Sequence, residues 1–172
     1  TVTGVNNFGL GHQVMGNATT ARQNVGIGAN ALFTLTEGER NMGIGSQVLF
    51  GLTTGDRNVA IGFSADTNNQ TGNDNIAIGF RALQGVATNS HSTNLAIGTR
   101  SMLSVTTGNN NVALGYQTGD NITTANNCII IGYDLDSDDA STDYQFKLSQ
   151  AFYGNVNPAG ESFRFHPTVN TK

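Results

Sequence analysis

Hydrophobic residues in this chain fall in short triplets set between polar, turn-forming stretches, and the triplets return in phase. Asn58-Val59-Ala60-Ile61-Gly62 recurs as Asn75-Ile76-Ala77-Ile78-Gly79, Asn94-Leu95-Ala96-Ile97-Gly98 and Asn111-Val112-Ala113-Leu114-Gly115. Glycine takes the alanine place in Asn7-Phe8-Gly9-Leu10-Gly11, Asn24-Val25-Gly26-Ile27-Gly28 and Asn41-Met42-Gly43-Ile44-Gly45. An eighth copy, Cys128-Ile129-Ile130-Ile131-Gly132, loses the asparagine. The closing glycines stand at 11, 28, 45, 62, 79, 98, 115 and 132, so every step is 17 residues except one of 19. A fixed period of this length is the signature of a solenoid whose repeats stack on their neighbours. The expected fold is all-β: a parallel β-solenoid of about eight 17-residue repeats over residues 1–135. A β-rich C-terminal cap is expected over 136–172.

Each repeat carries a turn (Thr53-Thr54-Gly55-Asp56), a short strand, a closing glycine and a second short segment such as Ala31-Leu32, Val48-Leu49 or Ala82-Leu83. In the turn, glycine permits positive φ while Asp and Thr cap local backbone groups. Period-two alternation sends Val59 and Ile61 to one face and Ala60 to the other. The expectation is that the large pair fills the coil against residues such as Leu32 and Leu83. The small row (Gly26, Gly43, Ala60, Ala77, Ala96, Ala113) then implies close approach by another backbone. Either a neighbouring subunit presses there, making it a trimer-axis row, or Gly and Ala fit a cramped interior corner. Asn24, Asn41, Asn58, Asn75, Asn94 and Asn111 are expected to stack as a structural ladder of side-chain amides. Eight coils at about 4.8 Å each give a rod roughly 35–40 Å long.

After Gly132 the rhythm stops. Tyr133 to Asp139 reads as an acidic, solvated linker, and three segments rich in aromatic residues follow: 144–148, 151–154 and 162–166. So short a tail cannot easily bury its phenylalanines alone. It reads as a cap, or as a segment interlaced with copies of itself.

The Asn-(Val/Ile)-Ala-Ile-Gly motif, with the following Ala-Leu and the Thr-Thr-Gly-Asp turn, resembles two related groups. One is the left-handed parallel β-roll heads of trimeric autotransporter adhesins. The other is the similar repeats of bacteriophage tail fibres. The resemblance covers about residues 1–135 and implies a homotrimer of rolls side by side, with the Gly/Ala row near its axis. The region from Cys128 to Gly154 looks like the stretch beyond such repeats in phage fibres, and nothing resembles the adhesin neck or stalk. The first reading is therefore a structural and receptor-binding segment of a virion tail fibre. Its implied partners are neighbouring fibre segments and a glycan or outer-membrane receptor on a bacterial host. A bacterial cell-surface adhesin head is the alternative, and a ligand-free spacer another.

Composition supports an extended, turn-rich architecture: 22 glycines, 2 prolines, 37% hydrophobic and 12% charged residues. A net charge of −4, with the eight basic residues scattered, argues against nucleic acid. No apolar window reaches membrane-span length. The chain starts at Thr1 without a basic-then-apolar leader, and the expectation is a piece of something longer. Cys128, the single cysteine, reads as a packed thiol. His12, His91 and His166 fall in different repeat slots, so no metal triad or catalytic set is indicated. The expectation is no cofactor and no enzymatic activity. The acids at 134–143 lack the pattern of a calcium loop. Threonines at 20, 54, 71, 107 and 124 lie in turns rather than on a flat strand face, which sets aside an ice-binding reading.

Candidate recognition residues lie in two places. The insertion around 86–92 is expected to emerge as a surface loop offering Val86, Thr88, Asn89 and His91. The tail offers Phe152, Tyr153, Phe163 and Phe165. Phe63, Phe80, Tyr116 and Tyr133 follow closing glycines and read chiefly as packing under the second segment, with a sugar-binding stripe as the other reading.

Overall fold

The computed structural model describes residues 4–86 and 89–148. It is a β-solenoid of about eight turns, and no helix occurs among the described residues. Nine strands of three residues form one parallel sheet in sequence order: β1 (Phe8–Leu10), β2 (Val25–Ile27), β3 (Met42–Ile44), β4 (Val59–Ile61), β5 (Ile76–Ile78), β6 (Leu95–Ile97), β7 (Val112–Leu114), β8 (Ile129–Ile131) and β9 (Phe146–Leu148). Register never slips: Val59 pairs with Ile76, Ala60 with Ala77 and Ile61 with Ile78, and the 19-residue step still brings Ala77 onto Ala96.

Three-residue strands leave most of each coil to turns, and these are built from left-handed residues that are not glycine. In one coil Gln47 (φ 56°), Leu49 (φ 49°) and Arg57 (φ 56°) adopt that region. A side chain there costs free energy, so the surroundings must hold it. The neighbouring coils do so. Gln47 N–H donates to the Ala29 carbonyl at 2.9 Å, Leu49 N–H to Ala65 at 3.0 Å and Arg57 N–H to Glu39 at 2.9 Å. Glycine in the Thr-Thr-Gly-Asp turn has another role than the one expected. Gly55 is absent from the left-handed residues, and a Cβ there would collide with the Gly72 carbonyl oxygen of the next coil. The closing glycine does turn through positive φ, as at Gly62 (132°).

The alternation is as expected but the faces are exchanged. The small row points inward: Ala60, Ala77, Ala96 and Ala113 are fully buried, and a Cβ on Gly43 would lie 3.0 Å from Val48 Cγ1 and 3.5 Å from Leu32 Cγ. Gly26, Gly43 and the alanines therefore lie on no trimer axis; they fill the cramped interior corner. Leu32, Leu49, Leu83 and Met102 occupy the coil from one side and Leu35, Leu52, Val105 and Ile122 from another. A coil of 17 residues has no room for a third large column. Where Ile130 replaces alanine, Gly119 stands where the coils before it place Leu83 and Met102, and a Cβ there would sit 3.5 Å from Ile130 Cδ1. Volume is conserved by exchange.

Val59, Ile61 and their equivalents point outward instead. They form two parallel apolar columns along the roll, half-buried or exposed, with Ile76 and Ile97 each 39% accessible. Alternation fixes that these residues share a face; the leucines of the second segment decide which face.

The asparagine ladder forms as expected. Asn41 Oδ1 accepts both the backbone N–H (2.9 Å) and the side-chain amide (3.1 Å) of Asn58. Asn58 Nδ2 also donates to the Gly72 carbonyl at 2.8 Å. The pattern runs from Asn7 to Asn111, whose Oδ1 accepts Cys128 N–H at 2.9 Å. A second ladder runs beside it. The side-chain oxygens of Asp56, Asn73, Ser92, Asn109, Asn126 and Asp143 each accept the N–H one coil back, at 2.7–3.0 Å. The turn aspartate thus bonds between coils rather than locally.

That second ladder carries the solenoid past residue 135. Asp143 occupies its last rung, and Phe146, Lys147 and Leu148 pair with Ile129, Ile130 and Ile131. Residues 136–148 therefore form a further coil and not a linker, and the rest of the expected cap, 149–172, lies outside the described residues. Lys147 takes the place of the small inward residue, and its Nζ donates to the Asp136 carbonyl (2.8 Å) and to Asp138 (2.6 Å). The sequence hid this coil because Gln145 stands where asparagine belongs and no closing glycine follows.

Ala77→Leu is expected to destabilise the roll by about 1–3 kcal/mol through overpacking. Urea denaturation reads the loss, and a neutral result would return the small row to the outside. Asn58→Ala strands the Asn75 amide and the Gly72 carbonyl, at about 1–3 kcal/mol for each group left unpaired. The same titration, run beside Glu37→Ala on an exposed turn, checks that the loss belongs to the buried ladder.

Candidate functional site

The insertion does not present the residues expected of it. Val86 is exposed, but Asn89 and His91 are buried, so neither is placed to touch a receptor. Thr88 lies outside the described residues, as do Phe152, Tyr153, Phe163 and Phe165. The physical reason lies in the column counts. His91 occupies the turn position of Gly38, Gly55, Gly72 and Gly108, since Asn75 Nδ2 donates to its carbonyl at 2.8 Å as Asn58 does to Gly72. From that position a side chain projects into the coil.

There it meets polar company. The coil before places Asp66 where Leu32, Leu49, Leu83 and Met102 stand, and Asn69 where Leu35, Leu52, Val105 and Ile122 stand. Asp66 Oδ1 lies 3.4 Å from His91 Nε2, with side-chain accessibilities of 1% and 0%. Asn69 Nδ2 donates to Asp66 Oδ2 at 3.3 Å, and Asn69 Oδ1 accepts Gly72 N–H at 2.9 Å. Asn89 pairs with Asn69 as a parallel bridge and donates to the Val105 carbonyl at 3.0 Å. Three polar side chains thus replace an apolar layer at the enlarged coil. The signal was present in the sequence: Asp66 and Asn69 interrupt columns that are otherwise aliphatic from Leu32 to Met102.

Burial pushes the Asp66 carboxyl up to about 7, against a smaller lowering by Asn69, and pushes His91 down to about 4. One proton therefore resides on the pair between these values, and burial favours its placement on Asp66. The two groups act on stability in opposite senses. Asp66, raised above its ordinary 3.8, contributes stability below that value and loses it as pH rises through about 7. His91, lowered from 6.5, contributes above 6.5 and loses it as pH falls through about 4. Between about pH 4 and 6.5 the slopes oppose each other.

The aromatic column after the closing glycines is exposed rather than packed beneath the second segment. Phe63 and Phe80 stack at 5.6 Å, and Tyr116 and Tyr133 at 5.2 Å, with Tyr133 72% accessible. The Arg81 guanidinium lies over the Phe80 ring at 5.3 Å from its centre. One position further on, Ser64, Arg81, Arg100, Gln117 and Asp134 form the neighbouring column. Near its end the Asp120 carboxyl is raised to about 6 by burial and by Asp136 beside it, against a lowering by Gln117 and Arg100. An arginine resting on a ring, exposed aromatic side chains and a charged rim make this flank the best-formed recognition surface among the described residues.

Relative to wild type, Asp66→Asn is expected to gain stability as pH rises from about 4 to about 6.5, because the His91 slope then stands alone. His91→Gln is expected to show the opposite slope over the same range. Urea midpoints across pH read both, and parallel profiles for the two variants would contradict the shared-proton account.

No family model, curated protein or solved structure matches this chain.

Proposed function

We propose that this chain is a rigid, non-catalytic segment of a trimeric surface fibre, most simply a phage tail fibre that attaches to a bacterial host. The observation that carries the reading is the pair of outward apolar columns running the length of the roll. Val59, Ile61, Ile76, Ile78 and Ile97 stand in line on one sheet, with no covering layer among the described residues. A continuous apolar strip of this kind marks an interaction surface. Association of copies side by side covers it along its whole length. Assembly runs through these columns and not through the Gly/Ala row, which the coil interior already uses.

Stiffness follows from the ladders, and a rod with repeated coils suits a shaft that holds a binding region away from its anchor. The motif's resemblance to fibre and adhesin repeats supports the same reading. Receptor contact on the described residues falls to Val86 and to the exposed aromatic flank.

Light scattering is expected to give about 54 kDa, three times the 18.0 kDa chain. Ile61→Lys brings three like charges into the interface, at several kcal/mol per ion, and is expected to yield monomer. A wild-type monomer at micromolar concentration contradicts the assembly. Labelled trimer is expected to bind host cells; a trimer that binds none, while a longer chain does, reduces the segment to a spacer.

A further inference from the structure

Among the described residues some arginines are answered by the adjacent coil and others are not. Arg57 holds Asp74 through two bonds of 2.6 and 2.8 Å, and Arg40 Nε donates to Gln23 at 3.1 Å. Arg81 and Arg100 instead follow one another on consecutive coils, their N–H groups donating to Phe63 and Phe80 carbonyls at 2.9 and 2.8 Å. One coil step of about 5 Å separates their backbones, so like charges stand on neighbouring rungs. Among the described residues neither has a carboxylate at ion-pair distance, and Nε of each is shielded from solvent without a hydrogen-bond partner. Asp120 senses Arg100 but is hydrogen-bonded with Asp136 and Gln117.

Beside these arginines the aromatic column is missing one ring. It reads Phe63, Phe80, Thr99, Tyr116, Tyr133. Thr99 separates Phe80 from Tyr116 by two coil steps, about 10 Å. Phe63 stacks on Phe80, and the Arg81 guanidinium lies over the same ring, 5.3 Å from its centre. Tyr133 likewise covers one face of Tyr116 and leaves the face toward Thr99 without a ring. The gap thus offers a braced guanidinium, a second guanidinium beside it, an open tyrosine face and a threonine hydroxyl.

We propose that this gap binds an acidic sugar: a pyranose whose anionic group pairs with Arg81 and Arg100 and whose apolar face rests on Tyr116. An anion offsets the positive charge that the two arginines place on one flank. The tyrosine face suits the C–H face of a sugar ring, and the Thr99 and Tyr116 hydroxyls suit its hydroxyl groups. An isolated anion would leave the aromatic face idle, and nucleic acid is opposed by the chain's net charge of −4. The site uses rows other than the outward strand columns, so it stands on a single roll and does not rest on trimerisation.

The test is saturation-transfer NMR and calorimetry on the whole chain, using a tetrasaccharide of alternating glucuronate and N-acetylglucosamine. An uncharged N-acetylglucosamine tetramer and inorganic phosphate serve as comparisons. The charged tetrasaccharide is expected to bind about tenfold more tightly than either. Arg100→Gln and Tyr116→Leu are each expected to weaken it about tenfold, and Thr99→Tyr, which completes the ring column, to abolish it. Circular dichroism confirms that the variants keep the sheet. Absence of binding to the folded wild type, equal binding of charged and uncharged sugars, phosphate binding as tightly as the sugar, or binding indifferent to Thr99→Tyr would each overturn the proposal.

Discussion

One side-chain oxygen accepting two donors from the coil above is the contact on which this molecule depends. From Asn7 to Asn75 each asparagine Oδ1 takes both the backbone and side-chain N–H of its successor, and those of Asn94 and Asn111 take the backbone N–H alone, while each amide reaches a turn carbonyl. A buried asparagine is costly unless each polar group is answered, and here each is answered by the same residue type one coil away. The arrangement fixes register and spacing together. Displacing one coil by a single residue would strand the backbone amide, the side-chain amide and the turn carbonyl at once. The Asp56–Asn73–Asn109–Asn126 ladder repeats the device one turn position away and carries it into the coil ending at Leu148.

With the coils held at that spacing, the interior becomes a problem of volume. Two columns of leucine-sized residues enter from the second segment and the following turn, and the strand then contributes a methyl group or nothing. Ile130 opposite Gly119 shows that the constraint acts on the sum and not on each position. The same accounting explains the outward apolar columns. A strand whose inward residue must be small keeps its large residues outside, on the face through which we propose that copies associate.

The period, the strand positions and the asparagine ladder were legible in the sequence because the triplet recurs eight times in phase and its asparagine seven times. The facing of Val59 against Ala60 was not, since alternation is symmetric until the opposing columns are known. Tyr116 and Phe80 misled for the same reason: nothing in a linear pattern says which turn position looks outward. His91 read as a loop residue because the insertion shifted the count, and only the hydrogen bond from Asn75 reveals that it keeps a turn position. The coil at Phe146–Leu148 was masked by lost motif residues, though its ladder aspartate, Asp143, was in phase with Asn126.

The layer of Asp66, Asn69 and His91 divides an otherwise uniform array. Long-range contacts elsewhere join residues 17 apart, a separation of about one tenth of the chain, so order can spread coil by coil without closing large loops. Coupling between neighbours is strongest where aliphatic columns interlock. It is weakest where the buried polar layer of Asp66, Asn69 and His91 interrupts them. In a one-dimensional stack such an interface is where cooperativity parts. The coils before Asp66 and those after His91 form two blocks, and tension along the rod opens the seam between them first.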